Sequence, residues 1–284
     1  MPLRTALDRL VNNTVDARTV GVVRSLVGLA AFVRAFEAGR LLQQWLLPTS
    51  MRAPLVDGFP AARPEILFLL VGVWGAAAAA FAAGWKTRWT GSVLTLVMSY
   101  TLLLDQQTYS NHLYLLILVT GLLTLAGGGG LSIDTRLSGH REAALAWPVF
   151  LLKSQVSIVY FFAAITKMNA GYISGETLGL QLHPGFWMLI PEEFAARAAM
   201  GLAVASIVIE LALAFGLWWK RMRLPVIGTG LLFHFGLVAC VIPSVSLQIF
   251  VFTLLMLALY PLFFDGAQIR PAGGIASRSA PASR

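Results

Sequence analysis

One apolar stretch of the sequence carries a row of polar side chains that could do acid–base chemistry. The stretch runs from Trp147 to Glu176 and reads WPVFLLKSQVSIVYFFAAITKMNAGYISGE. On a helix, alternating steps of four and three residues bring the following side chains to one face: Lys153, Ser157, Tyr160, Ala164 and Lys167. Hydrocarbon does not solvate an ammonium group, so polar residues within a membrane helix usually face a cavity or a partner helix. The stripe therefore predicts a site along this helix.

Lys153 and Lys167 lie near opposite ends of this stretch. Each side chain could extend to the nearest membrane interface as an anchor, and for Lys153 this interpretation and a functional one both remain open. For Lys167 the polar stripe beneath it favours a function. A lysine acts as a base only where its ammonium form is disfavoured, for example by partial burial beside another cation. We interpret Lys167 as a candidate base for a lipid-soluble acid, such as a quinol hydroxyl, that arrives laterally from the bilayer.

Two further parts of the sequence carry histidines next to apolar segments. Asn111 and His112 occur in DQQTYSNHLYLL, where the chain enters an apolar segment. Asn111 could simply cap that helix, but capping does not explain a titratable ring near the apolar zone. His234 lies in LLFHFGLV with apolar neighbours on every side, and a structural role with a backbone or hydroxyl partner remains open. We expect Lys167, Tyr160, His112 and Asn111 to line one cavity.

Charged residues inside apolar segments need partners. Glu210, in SIVIELALAF, is the only carboxylate deep in the later segments, and we expect it to pair with Arg24 or Arg34 of the first segment. With Glu37, these arginines predict that the first segment packs inside the bundle. Two histidines without Asp, Glu or Cys at ligand spacing are weak evidence for a metal, so no metal is expected.

The composition indicates an integral membrane protein. The chain has 284 residues, of which 57% are hydrophobic and 12% charged, whereas soluble domains carry roughly 25% charged residues. The net charge of +8 comes from short basic loops between apolar runs, which fits the positive-inside rule better than nucleic-acid binding. The single cysteine, Cys240, excludes an intrachain disulfide. We therefore predict a multi-pass protein of the cell membrane with the lipid bilayer as its partner and no nucleic-acid partner.

Eight apolar segments of near-spanning length can be marked along the chain. The fold class predicted is all-α: a polytopic membrane helix bundle with about eight transmembrane helices. Residues 1–18 are predicted to form a cytoplasmic amphipathic lead-in, residues 19–264 the transmembrane domain, and residues 265–284 a disordered cytoplasmic tail rich in small polar residues.

The basic residues predict an orientation for these segments. With the N-terminus inside, thirteen basic residues fall on inner segments and only Arg52 and Arg63 on outer loops. Both termini are therefore predicted to be cytoplasmic. This orientation brings the start of the fourth segment and the end of the fifth to one membrane depth, in the outer half. We expect a site there that faces outward.

These residues resemble those of a known family. The most specific parts are the pair Asn111–His112 and the pattern Q-x-x-x-V-Y-F-x-A-x-x-x-K, which begins at Gln155 and ends at Lys167; LLFHFGL around His234 adds to them. Over roughly residues 16–264 the chain resembles the vitamin K-dependent gamma-carboxylase family. In its broader bacterial form this is the horizontally transferred transmembrane domain (HTTM) superfamily. We interpret the chain as similar to its stand-alone bacterial members.

The resemblance implies a reaction and a set of roles. In the family a lysine deprotonates vitamin K hydroquinone, and oxygenation then generates a strong base that removes a γ-proton from glutamate, whose carbanion captures carbon dioxide. Lys167 and the pair Asn111–His112 match the catalytic positions, and we assign cofactor binding to Tyr160, His234 and Gln155. The implied cofactor is a reduced quinone, with O₂ and CO₂ as co-substrates.

Two departures from the family pattern leave a second function open. The animal enzymes continue into a large extracytoplasmic domain, whereas this chain ends soon after its eighth segment, and VACVIPSVSLQ replaces a more polar run. We therefore expect a secreted peptide substrate and a soluble partner subunit if the chain is an enzyme. The alternative is a non-enzymatic membrane component that assists maturation or export of a small secreted peptide, as in the sporulation-delaying toxin system.

Overall fold

The computed structural model of the protein describes residues 12–45, 53–60, 63–127, 130–139, 143–241 and 243–264. The predicted disordered tail, 265–284, and most of the predicted lead-in lie outside these residues. Within the lead-in, Thr14–Val15 form a short strand, β1, and a helix begins at Ala17.

Each predicted apolar segment is a long helix in the described part of the chain, so the all-α fold class is confirmed. The eight long helices are α1 (Ala17–Trp45), α2 (Pro64–Ala83), α3 (Thr87–Leu104), α4 (Asn111–Ala126), α6 (Ala146–Lys167), α10 (Glu192–Gly216), α11 (Arg223–Cys240) and α12 (Pro243–Leu259). Short elements connect them: α5 (Ile133–Ser138), β2 (Ala144–Leu145), α7 (Ala170–Ile173), α8 (Glu176–Gln181) and α9 (Pro184–Trp187), with a 3₁₀ turn, Tyr260–Phe263, after α12.

Five of these helices are long and apolar enough to cross a membrane: α1, α2, α6, α10 and α11. Two shorter apolar helices, Asn111–Ala126 and Leu247–Phe263, accompany them among the described residues. The chain is thus a membrane protein built on several apolar helices. The number of eight spans and the cytoplasmic position of both termini stay predictions.

Helix α1 lies at the centre of the bundle, which confirms the prediction that the first segment packs inside it. It contacts α2 most extensively, and also α12 and α4. Arg24, Arg34 and Glu37 are all buried. The strands β1 and β2 pair antiparallel, with Thr14 opposite Leu145, and so hold the beginnings of α1 and α6 at the same end of the bundle.

Arg24 closes the end of α2, where helix carbonyls lack intrahelical partners. Its guanidinium donates to the carbonyls of Phe81 and Ala82, and a third bond of 2.7 Å reaches the carbonyl of Leu131. Gly84 ends α2 with a φ of +73°. A Cβ there would lie 2.7 Å from the Arg24 guanidinium, so this position needs glycine both for its backbone angle and for the close approach of the arginine.

We predict that Arg24→Met lowers the midpoint of unfolding in detergent strongly, because it leaves buried carbonyls without donors; bonds to a charged donor contribute about 1.5–3 kcal/mol. Arg40→Met, on the exposed side of the same helix, is the matched control and should change the midpoint little. Equal midpoints for the two variants would show that Arg24 does not hold this helix end.

Candidate functional site

Helix α6 presents its polar stripe to several other elements of the bundle. It packs most extensively against α10, and also against α4 and α12. The stripe's side chains meet partners there: the Trp218 indole donates to Ser157 Oγ at 2.7 Å, and Lys153 Nζ lies 5.7 Å from the centre of the Phe263 ring. The stripe seen in the sequence is therefore the surface on which α6 is fixed in the bundle.

Lys167, at the end of that stripe, forms an ion pair with Glu210 of α10. Lys167 Nζ lies 2.6 Å from Glu210 Oε1, and the carboxylate is buried. The prediction that Glu210 pairs with Arg24 or Arg34 is wrong. Arg34 instead contacts Glu37 on its own helix at 2.6 Å. The physical reason is that α10 packs mainly against α6, whereas α1 packs mainly against α2 and α12.

The partner of Lys167 is therefore an anion and not the second cation that the sequence argument needed. The second carboxylate oxygen, Glu210 Oε2, is buried and makes no hydrogen bond with the described residues. A buried polar atom without a hydrogen-bond partner lowers the free energy of unfolding, because it has lost its bonds to water. In the pair, Oε1 accepts a bond from Lys167, and Oε2 retains its full capacity to accept a proton or a hydrogen bond.

A cavity of about 310 Å³ adjoins Lys167, between α10, α11 and the short helices α7 to α9. Its walls are largely apolar and include Lys167, Tyr172, Phe186, Ser206, Phe233 and Cys240. Lys167 Nζ lies 5.5 Å from the centre of the Tyr172 ring and 5.9 Å from that of Phe233. Tyr172 Oη and Ser206 Oγ are hydrogen-bonded at 2.9 Å. With Thr229, which also lines the cavity, the site thus offers one cation, three hydroxyls and aromatic walls.

Tyr160 and His234 belong to a buried hydrogen-bonded chain of four side chains. Tyr160 Oη lies 2.7 Å from His234 Nε2 and 2.7 Å from Tyr260 Oη. The other imidazole nitrogen, Nδ1, lies 3.2 Å from Thr253 Oγ1. All four side chains are buried. The hydroxyl partners that the structural interpretation of His234 required are present, and they join α6, α11 and α12.

His112 and Asn111 occupy different environments. The half-buried His112 ring packs on Phe252, with centroids 4.8 Å apart, and Phe252 lies 5.8 Å from the His234 ring. Asn111 is exposed, and its Oδ1 accepts a bond from the Tyr109 hydroxyl at 3.2 Å. It does not cap α4, because that capping bond is accepted by the Ser110 hydroxyl. His112 thus lies next to the buried hydrogen-bonded side chains of Tyr160 and His234, whereas Asn111 lies at the surface.

The predicted site residues fall into separate places. Tyr160 and His234 are in contact, with His112 one aromatic ring away. Lys167 lies two turns further along α6, about 10 Å from Tyr160 along the axis, and Gln155 is about 18 Å from Lys167. The cavity beside Lys167 is not lined by Tyr160, His112 or Asn111. A catalytic or cofactor-binding role for any of them stays a prediction.

Sequence reasoning missed three members of this arrangement: Glu210 as the partner of Lys167, and Tyr260 and Thr253 as partners of the buried chain. Glu210 had a usable signal, because consecutive segments usually pack side by side and Lys167 was the nearest cation on the preceding segment. Tyr260 and Thr253 carried no comparable signal, since both lie in an apolar run. Among the described residues no group of three His, Cys, Asp or Glu side chains could hold a metal.

A family model described as "HTTM domain" matches residues 12–267, nearly the whole chain. No solved structure matches the chain.

We predict that Tyr260→Phe lowers the unfolding midpoint, because it removes one of the two bonds of the Tyr160 hydroxyl; a typical bond contributes about 1 kcal/mol. Tyr114→Phe makes the same chemical change on an exposed side chain of α4 and should leave the midpoint unchanged. Thermal unfolding of both variants in one detergent provides the measurement. If the two midpoints are equal, the buried hydrogen bond between Tyr260 and Tyr160 does not stabilise the bundle.

Proposed function

This chain belongs to the HTTM-domain family, and we propose that it is a membrane-embedded enzyme that uses a reduced quinone in a carboxylase-like modification. The observation that carries the proposal is Lys167 at the wall of a largely apolar cavity, in contact with the buried carboxylate of Glu210 behind it. Acid–base groups in a largely apolar pocket are the usual form of a small-molecule site.

The residues around the cavity fit a reduced quinone. A volume of about 310 Å³ is at the lower end of the roughly 300–1,000 Å³ of ligand sites, which suits an aromatic ring system. Tyr172 and Phe233 would hold the ring, and Lys167 and Ser206 would face its hydroxyls. When bound, the reduced quinone supplies an acidic hydroxyl and, with O₂, the oxidative chemistry that the family couples to carboxylation with CO₂.

Glu210 allows Lys167 to act as a base despite its positive charge. Over the 2.6 Å contact a proton can pass from Nζ to Oε1, which breaks an N–H bond, forms an O–H bond and leaves a lone pair on Nζ. Nζ then accepts the proton of an acidic hydroxyl in the cavity. The net result is a proton on Glu210, a hydroxyl converted to an oxyanion, and an ammonium group beside that oxyanion to stabilise it.

The apolar surroundings favour this exchange. Two separated charges lose most of their solvation in such a place, so the energy gap between the ion pair and the neutral pair is small compared with that in water.

The remaining predicted residues support the site from a distance in this proposal. Tyr160 and His234 fix α6 against α11, and through α6 they fix Lys167 two turns away. Asn111, His112 and Gln155 do not line the cavity beside Lys167, so in this proposal they take no direct part in the proton transfer. A secreted glutamyl peptide is the proposed substrate, presented with the help of a soluble partner subunit.

One observation favours a second candidate function. The chain Tyr260–Tyr160–His234–Thr253 is saturated with internal hydrogen bonds, as expected of groups that only hold helices together. The candidate is a non-enzymatic membrane component that assists maturation or export of a small secreted peptide. It predicts that no quinol is consumed.

The test measures oxidation of a short-chain naphthoquinol by the reconstituted protein in air, above the rate without protein. Lys167→Arg keeps a cation beside Glu210 but removes the base, and Glu210→Gln removes the proton acceptor. Loss of a general base typically costs about 10²- to 10⁴-fold in rate, and we expect both variants to lose activity on this scale. Lys153→Met, on the same face of α6, is the control and should retain it.

Two outcomes would contradict the proposal. If Lys167→Arg retains full activity, Lys167 is only a charged anchor. If the unmodified protein consumes no quinol, the non-enzymatic function is the better account.

A further inference from the structure

Residues 168–190, between α6 and α10, form a cap of three short helices, α7 to α9, beside the cavity. Among these 23 residues only Glu176 is an Asp, Glu, Lys or Arg residue. A segment that connects two membrane helices through water is usually polar. The composition of this cap is closer to that of the helices it connects.

The inner face of the cap is attached firmly to the bundle. The backbone N–H of His183 donates to the carbonyl of Cys240 at 2.7 Å, and Leu182 forms a β-bridge with Val241. Leu178 and Leu182 are buried in a small apolar cluster with Ala203 and Ile207 of α10. The cap therefore has one apolar face that is already packed.

The exposed side of the cap carries polar residues, among them Glu176 and Gln181, but also three large apolar side chains that no described residue covers. Leu180 is 77% exposed, Met188 84% and Leu189 81%. Large apolar side chains that cluster on an exposed surface mark contact with a partner or a membrane.

The position of the cap along α10 indicates which of the two covers this face. Gly175 lies against Ala199, and Tyr172 is bonded to Ser206, so the cap runs beside residues 199–206 of that helix. The same stretch exposes three apolar side chains: Met200, Leu202 and Val204. Arg197, the last charged residue before this stretch, is exposed about 3 Å before Ala199, whereas Ser206 lies about 14 Å beyond Arg197. The cap thus begins near the polar end of α10 and extends beside the helix to its apolar middle.

We propose that the cap is a re-entrant element whose outer face, with Leu180, Met188 and Leu189, is immersed in the lipid leaflet on its side of the bundle. Its partner is the bilayer, because this apolar face continues into the lipid-facing surface of α10. The proposal does not depend on enzymatic activity. One consequence concerns the cavity beside Lys167, whose wall includes Leu202 and Leu232, both exposed on spanning helices: its mouth opens sideways into lipid.

The experiment is a depth measurement by spin labelling. Cys240 is the single cysteine, so Cys240→Ala gives a background without thiols for Leu180→Cys and Leu189→Cys. Leu232→Cys is the lipid-facing reference, 73% exposed on α11. Gln106→Cys is the water-facing reference; Gln106 is exposed in the polar turn between α3 and α4, at the same end of the bundle as the cap. Each labelled protein is reconstituted into vesicles, and collisions with oxygen and with a water-soluble nickel chelate are compared.

We expect labels at Leu180 and Leu189 to collide mainly with oxygen, with a ratio close to that at Leu232 and well above that at Gln106. Nickel collisions as frequent as at Gln106 would place the cap in water and overturn the proposal. Protection from both reagents would overturn it too, because a second protein surface would then cover the cap. Each variant must first retain the elution profile and unfolding midpoint of the background protein.

Discussion

The organisation of the site depends on a pair of charges that has little water around it. Glu210 is buried in the bundle, and Lys167 reaches it from the end of α6 at 2.6 Å. A carboxylate in an apolar interior is stable only with a cation or a proton. The pair therefore fixes how α6 and α10 lie against each other, and α6 in turn determines where Tyr160, Ser157 and Lys153 find their partners.

The other buried polar groups also need partners, and they find them in different ways. Arg24 ends α2 by donating to carbonyls, Arg34 contacts Glu37 on its own helix, and His234 lies between Tyr160 and Thr253. Most of them are neutralised or hydrogen-bonded within the bundle. The Lys167–Glu210 pair differs because its lysine lines a largely apolar cavity. That difference is the physical basis for placing chemistry there.

The sequence predicted much of the fold and part of the site. Apolar runs near spanning length predicted every long helix, and the buried charges of the first segment predicted the central position of α1. The polar stripe predicted a site along α6, whereas in the structure most of it packs against other elements and Lys167 alone adjoins the cavity. The predicted partner of Glu210 was wrong. The sequence indicates that a buried charge needs a counterion, but it does not indicate which helix supplies that counterion. Tyr260 and Thr253 could not be found, since in an apolar run only tertiary packing distinguishes a bonded hydroxyl from an isolated one.

A double-mutant cycle on Lys167 and Glu210, read out as the free energy of unfolding, tests the central claim most directly. We predict that Lys167→Met costs about 3–5 kcal/mol, because it leaves a carboxylate buried and uncompensated. Glu210→Leu should cost less, since the lysine side chain is 25% exposed and can turn toward the interface. The double variant should cost much less than the sum of the two. Additive effects, with no coupling between the residues, would contradict the account.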